Sequence, residues 1–257
     1  MLKYPLIIDL DGVLRIGNRL ADNVHHFFNF LEESKINSCI LSNSSLYCGN
    51  SIKEFFHLHS VKLSIPIITT VDATLKYSID RFTKVAVYTS EEVRSLFSEI
   101  LDYNTPQAVV IGDIDDKWNF EIMQNIFNYV RNGAELIAMH KNKYWNKPDK
   151  GIQLDAGTFI HGIEYAASVT ATLIGKPSKF YFQSALKTLG YNSDDNFIML
   201  GDDVESDIVG AKSLNAFTIL IYTGKTQQPV VNEYRKFVNF EADNLVEVIK
   251  IIKNNFL

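Results

Sequence analysis

Short apolar runs alternate with longer amphipathic stretches along nearly the whole chain. Residues 6–9 read as a buried strand followed by a turn at Gly12. The 23–34 stretch places Phe27, Phe28, Phe30 and Leu31 on the apolar side of a helix. A strand at 38–41 runs into the small polar residues Ser42-Asn43-Ser44-Ser45. A helix at 51–59, a strand at 65–69 and a helix at 72–82 follow. Strand alternating with helix predicts βαβ units and a parallel sheet, hence an α/β fold.

The middle of the chain repeats this grammar independently. Strands are expected at 85–88, 108–111 and 135–139, with helices at 91–101 and 119–132 between them. Residues 144–157 read as a loop with a hairpin around 152–155, then a helix near 158–167 and a strand at 172–174. From Gly175 the first style resumes: helix 179–189 stopping at Gly190, strand 197–200, helix 205–214, strand 217–221 and a last helix at 244–254. The rhythm divides the chain into a discontinuous core, 1–80 with 176–257, and an inserted region, 81–175.

Composition narrows the class. At 257 residues the chain can bury a sizeable core. Its net charge of −5, with basic residues scattered, argues against nucleic acid or an anionic membrane as partner. Asp9 and Asp11 interrupt the first apolar run, which therefore cannot serve as a signal-peptide core, and no later run reaches membrane-spanning length. Cys39 and Cys48 have neither metal-ligand spacing nor the density of a secreted scaffold. A cytoplasmic protein is expected.

Four polar clusters fall where strands end: Asp9-Leu10-Asp11-Gly12, Ser42-Asn43, Gly175-Lys176-Pro177, and Gly201-Asp202-Asp203 with Asp207. In an open parallel sheet the carboxyl ends of strands line the ligand crevice, so distant residues can converge there. The aspartates outnumber the single ammonium of Lys176, which calls for a cation. Oxygen donors without His or Cys suit Mg2+. Any one of these clusters alone would read as caps and turns. Together they predict phosphoryl chemistry. Asp9 would attack phosphorus as a carboxylate nucleophile and Asp11 would serve as general acid and base. Ser42 would hold a phosphate oxygen and Lys176 would screen Asp9 from the incoming dianion. Mg2+ would be held by Asp9, Asp202 and the backbone carbonyl of Asp11, with Asp203 or Asp207 behind them.

The ordered set Asp9-Leu10-Asp11-Gly12-Val13-Leu14, Ser42-Asn43, Gly175-Lys176-Pro177 and Gly201-Asp202-Asp203-Val204-Glu205-Ser206-Asp207 resembles the four motifs of haloacid dehalogenase (HAD) superfamily phosphatases. The resemblance implies a Rossmann-like doubly wound core with an inserted α/β cap domain. It spans nearly the whole chain and points to the branch holding the pyridoxal-phosphate and para-nitrophenyl-phosphate phosphatases. Within that branch Ile137-Ala138-Met139-His140-Lys141, Tyr144, residues 151–157 and residues 175–178 are similar to the phospholysine phosphohistidine inorganic pyrophosphate phosphatases. One departure is local: Ala21-Asp22-Asn23 stands where the branch has a Pro-Gly turn.

By the same resemblance His140 and Asp155 lie in the substrate-facing part of the cap, although His140 also reads as an ordinary surface histidine beside Lys141. Asp113-Ile114-Asp115-Asp116 imitates the first motif but lacks the following Gly-Val-Leu, so a solvated loop is expected. His57 and His59 diverge on a helix and lack a third ligand. The expected substrate is a small phosphorylated metabolite, and the resemblance implies a homodimer paired through the caps. The same residues also leave open a phosphotransferase using the same intermediate, or a phosphate-binding or phospho-accepting regulatory protein with little turnover.

Overall fold

A computed structural model describes residues 3–147 and 150–257. They form two compact units, one of Met1–Ser42, Ser51–Ile68 and Lys176–Leu257, the other of Asn43–Asn50 and Thr69–Gly175.

The first unit is built on a six-stranded sheet in the order Phe240–Ala242, Phe217–Ile221, Ile198–Gly201, Leu6–Ile8, Ser38–Ser42, Ile67–Thr69. Counted along the chain this is 6-5-4-1-2-3, the doubly wound Rossmann order. The central pairings are parallel, with Leu6 opposite both Ile198 and Ser38. Alternation along the strands sorts the side chains. Leu6, Ile8, Ile40, Ile198, Leu200, Ile219 and Ile221 join one core cluster with Phe27, Phe30, Phe56, Leu245, Val248 and Ile252. Those partners come from helices Val24–Glu33, Gly49–Leu58 and Leu245–Asn255. Ile7, Cys39, Leu41 and Met199 alternate with these and are equally buried. Helix Lys179–Thr188 packs on strand Ser38–Ser42 and buries Tyr181, Phe182, Ala185 and Leu186. The direction of winding reverses between Leu6–Ile8 and Ile198–Gly201, the point at which a doubly wound sheet places its ligand crevice.

The second unit has its own parallel sheet, ordered Thr172–Leu173, Glu135–Ala138, Ala108–Ile111, Val85–Tyr88. Helices Phe120–Arg131 and Ala156–Ala167 pack together and contribute Ile126, Val130, Ile160 and Ile163 to a core with Val109, Ile111 and Leu136. An antiparallel hairpin joins Tyr144–Lys147 to Gly151–Leu154. The hairpin expected around 152–155 is thus its second strand, and residues 148 and 149 lie outside the described residues.

Two expected helices differ. The one at 91–101 is α-helical only over Glu91–Ser95. Beyond it the amides of Phe97, Ser98 and Ile100 bond three residues back, and Ser95 Oγ competes for the Glu92 carbonyl. The one at 205–214 is wound as a π-helix over Val204–Val209 before a short α turn, Gly210–Lys212. Among the described residues no helix is long and apolar enough to cross a membrane.

Candidate active site

Asp9 leaves strand Leu6–Ile8 at the switch point, its N–H still bonded to the Leu200 carbonyl at 2.9 Å. The next residues curl at once. The Leu10 carbonyl accepts from the amides of Leu14 and Arg15 at 2.9 and 3.0 Å, and Gly12 takes a left-handed φ of 84°. The carboxylate of Asp11 is gripped by the Arg15 fork, Nε to Oδ1 at 2.7 Å and Nη2 to Oδ2 at 3.0 Å. The Asp11 side chain is half exposed whereas Arg15 is buried, its guanidinium 5.5 Å from the Phe55 ring.

Behind the turn lies a buried cluster of charge. Asp9, Asp202 and Asp207 are all buried, each presenting a carboxylate oxygen within 4.8 Å of the others. Lys176 Nζ, 1% exposed, sits 2.6 Å from Asp9 Oδ1 and 2.7 Å from Asp207 Oδ1. Only the contact with Asp9 also has hydrogen-bond geometry. Burial pushes the Asp9 carboxyl above the usual range, opposed by Lys176. Burial does the same to Asp202, reinforced by the charges of Asp9 and Asp207. Asp207 is pushed up to about 7 by burial and by Asp9, against the pull of Lys176. Burial acts to lower the Lys176 ammonium, but Asp207 and Asp9 outweigh it and hold it above its ordinary value. Three carboxylates share one ammonium, which leaves two negative charges uncompensated when all are ionised. Oxygen donors of this kind fit a divalent hard cation such as Mg2+.

The π-helical turn explains how Asp207 reaches this cluster. Asp203 Oδ1 accepts from the amides of Glu205 and Ser206 at 2.9 and 3.3 Å, and the Asp203 N–H donates to Asp207 Oδ2 at 3.1 Å. A second loop, residues 223–226, closes in from the end of strand Phe217–Ile221. The Lys225 N–H donates to Asp202 Oδ2 and Lys225 Nζ pairs with Asp203 Oδ2, both at 2.6 Å. Burial would raise the Asp203 carboxyl, but Lys225 and the two amides outweigh it and hold it low. Thr223 Oγ1 donates to the Gly12 carbonyl, and the Thr226 N–H donates to that of Asp202 at 3.0 Å. Gly12 and Gly224 flank Asp202 so tightly that a Cβ on either would collide with its carboxylate.

Comparison with known proteins places this arrangement. The HAD-hydrolase-like family model matches residues 173–248, the segment carrying Lys176, Asp202 and Asp207. Over 223 residues, 86% of this chain and 84% of the relative, the chain is 38% identical to haloacid dehalogenase-like hydrolase domain-containing protein 2 of Homo sapiens. The chain belongs to the haloacid dehalogenase-like hydrolase family. The HAD-like chain is also 31% identical over 162 residues to the human phospholysine phosphohistidine inorganic pyrophosphate phosphatase, covering 62% of this chain and 59% of that one. Its fold matches the solved 4-nitrophenylphosphatase of Thermotoga maritima with a TM-score of 0.85 at 21% identity, over 96% of both chains.

In this HAD-like hydrolase the first unit brings together Asp9, Lys176, Asp202, Asp203 and Asp207. Asp207, expected behind the cation, stands in the cluster itself, while the Asp11 carboxylate turns to Arg15. Ser42 ends its strand buried, its carbonyl accepting from Tyr181 Oη at 2.7 Å. Asn43, His140 and Asp155 belong to the second unit. There His140 and Asp155 are buried. His140 Nδ1 faces the Asn142 N–H at 3.4 Å, and Nε2 lies 3.2 Å from Ser45 Oγ and 3.8 Å from Asp155 Oδ1. Asp155 caps helix Ala156–Ala167. Asp115 and Asp116 are exposed, with Asp116 paired to Lys150.

Arg15 and the 223–226 loop also touch the site and lie outside the four motifs. Arg15 carries a signal, a basic residue four positions beyond the acidic Asp11. Thr223-Gly224-Lys225-Thr226 directly after an apolar strand is the other.

Proposed function

We propose that this HAD-like phosphatase hydrolyses a small phosphorylated substrate through an aspartyl-phosphate on Asp9. The observation that supports this best is the buried Asp9–Lys176 pair set among Asp202 and Asp207 at the reversal point of the sheet. Lys176 engages Oδ1 of Asp9, which leaves Oδ2 as the attacking atom. Attack forms the Oδ2–phosphorus bond as the bond from phosphorus to the leaving oxygen breaks. Asp11 gives its proton to that oxygen, then takes one from the water that cleaves the acyl-phosphate. Because the Arg15 fork engages both oxygens of Asp11, the carboxyl must leave that fork to carry the proton. The Ser42 hydroxyl binds a phosphoryl oxygen, and Lys176 keeps Asp9 from repelling the incoming dianion.

Asp9, Asp202, Asp207 and the Asp11 carbonyl would hold Mg2+. When bound there, Mg2+ supplies neutralisation of the phosphoryl charge and a fixed line of approach to Asp9. Specificity on this reading resides in the inserted region, residues 81–175.

Phosphate release from phosphorylated metabolites, para-nitrophenyl phosphate, pyrophosphate and phosphoramidates, with Mg2+ or with EDTA, tests the proposal. Turnover should require the metal and vanish in Asp9→Asn while that variant stays folded. Turnover that survives chelation would overturn the metal assignment. Normal turnover by Asp9→Asn would overturn the nucleophile.

A further inference from the structure

Two carboxylate oxygens beside the acidic cluster are already spoken for, and the same residue claims both. The Lys225 amide donates to Asp202 Oδ2, and its ammonium pairs with Asp203 Oδ2, each at 2.6 Å. The other Asp203 oxygen accepts from the amides of Glu205 and Ser206. Both oxygens of Asp203 are therefore engaged, and Asp202 has only Oδ1 clear of the loop. Gly224, packed against the Asp202 carboxylate, lets the loop come close enough for this.

Donor number separates the two common hard cations. Ca2+ takes six to eight oxygens and often uses a carboxylate through both of them, whereas Mg2+ takes six at short range and keeps several waters. A site whose acids each offer one oxygen suits the smaller ion. We infer that Lys225 is a positioning residue for metal selectivity: it withholds Asp203 and one oxygen of Asp202 from the cation and so disfavours Ca2+. This rests on the proposed function only through the assignment of a divalent cation to Asp9, Asp202 and Asp207.

Removing the Lys225 charge should strengthen binding of both ions alike through simple attraction, so the ratio of affinities is the informative quantity. Calorimetric titration of the full chain with Mg2+ and with Ca2+ measures it. Lys225→Met frees Asp203 while keeping the amide, and should raise the Ca2+ affinity relative to Mg2+ by about tenfold. Lys225→Arg, which can again engage Asp203, should restore the wild-type ratio. The Lys225 side chain is 29% exposed, so a folded Met variant is expected, and Lys225→Gln is a second neutral replacement. Wild type that binds Mg2+, with neutral variants of unchanged ratio, overturns the inference and leaves the phosphatase reading standing. Wild type that binds neither ion removes the cation from both.

Discussion

Burying an ionised carboxylate costs several kcal/mol, and Asp9, Asp202 and Asp207 lie together beside one ammonium. Lys176 is therefore the side chain whose loss the fold should feel most. In Lys176→Met, Asp9 and Asp207 lose this cation partner and face each other and Asp202 in a buried site. Breaking such a pair from one side typically costs about 3–5 kcal/mol. Urea unfolding at neutral pH without metal should show a loss of that order, and Lys225→Met, at a partly exposed pair, should lose much less. Asp11 answers to a different measurement. If it protonates the leaving oxygen, Asp11→Asn should lower kcat by about 10²–10⁴ on an alkyl phosphate and far less on para-nitrophenyl phosphate, whose phenolate leaves unaided. Equal losses on the two substrates would overturn the acid role of Asp11 and leave it the activation of water or the holding of the turn.

Two tight turns meet across Asp202, and their glycines act through what they lack. An alanine at 224 would place Cβ on the Asp202 carboxylate and 2.7 Å from Gly12 Cα, both parts of rigid neighbours. Gly224→Ala should therefore displace Asp202 and raise the Mg2+ concentration for half-maximal activity by about tenfold or more, a shift of roughly 1.4 kcal/mol. An unchanged Mg2+ requirement would mean that the loop yields instead. This also shows why the site was only partly legible. Carboxylates and a lysine at strand ends announce themselves by type when taken together, so Asp9, Lys176, Asp202, Asp203 and Asp207 stand out as a set. The 223–226 loop works through backbone amides, a missing Cβ and one ammonium, and none of these marks a side-chain pattern. The core strands were readable because fully buried runs such as 198–201 and 218–221 leave little choice. Strand Phe240–Ala242 has three residues and no alternation to detect. The π turn at Val204–Val209 is held by Asp203 capping its amides and by Asp207 reaching Lys176, both tertiary matters. The burial of His140 and Asp155 likewise depends on Ser45, Asn142 and a helix cap that no local pattern reveals.

For the molecule as a whole, the acidic cluster makes stability a joint function of pH and metal. Burial raises the carboxyls of Asp9, Asp202 and Asp207 above their ordinary value of 3.8, that of Asp207 to about 7. A raised carboxyl means the folded state binds a proton that the unfolded chain has already released. Its stabilising contribution is complete below the unfolded pKa and is lost as pH climbs through the folded one. Lys176, held above its ordinary value, stays charged throughout this window. Asp203 has the opposite sign but titrates below its ordinary value of 3.8 and so is ionised across the same range. Metal-free protein should accordingly lose stability between about pH 4 and pH 7 from this cluster. Mg2+ competes with those same protons, so its effect should run the other way. At pH 5 Asp207 holds its proton and added Mg2+ should raise Tm little. At pH 7.5 a hundredfold excess over Kd should add about 2.7 kcal/mol. For a chain of this size that amounts to roughly 5–10 °C. Thermal unfolding in EDTA and in Mg2+ at both pH values measures the difference directly. A metal-induced shift as large at pH 5 as at pH 7.5 would mean that the ion binds somewhere other than these three carboxylates.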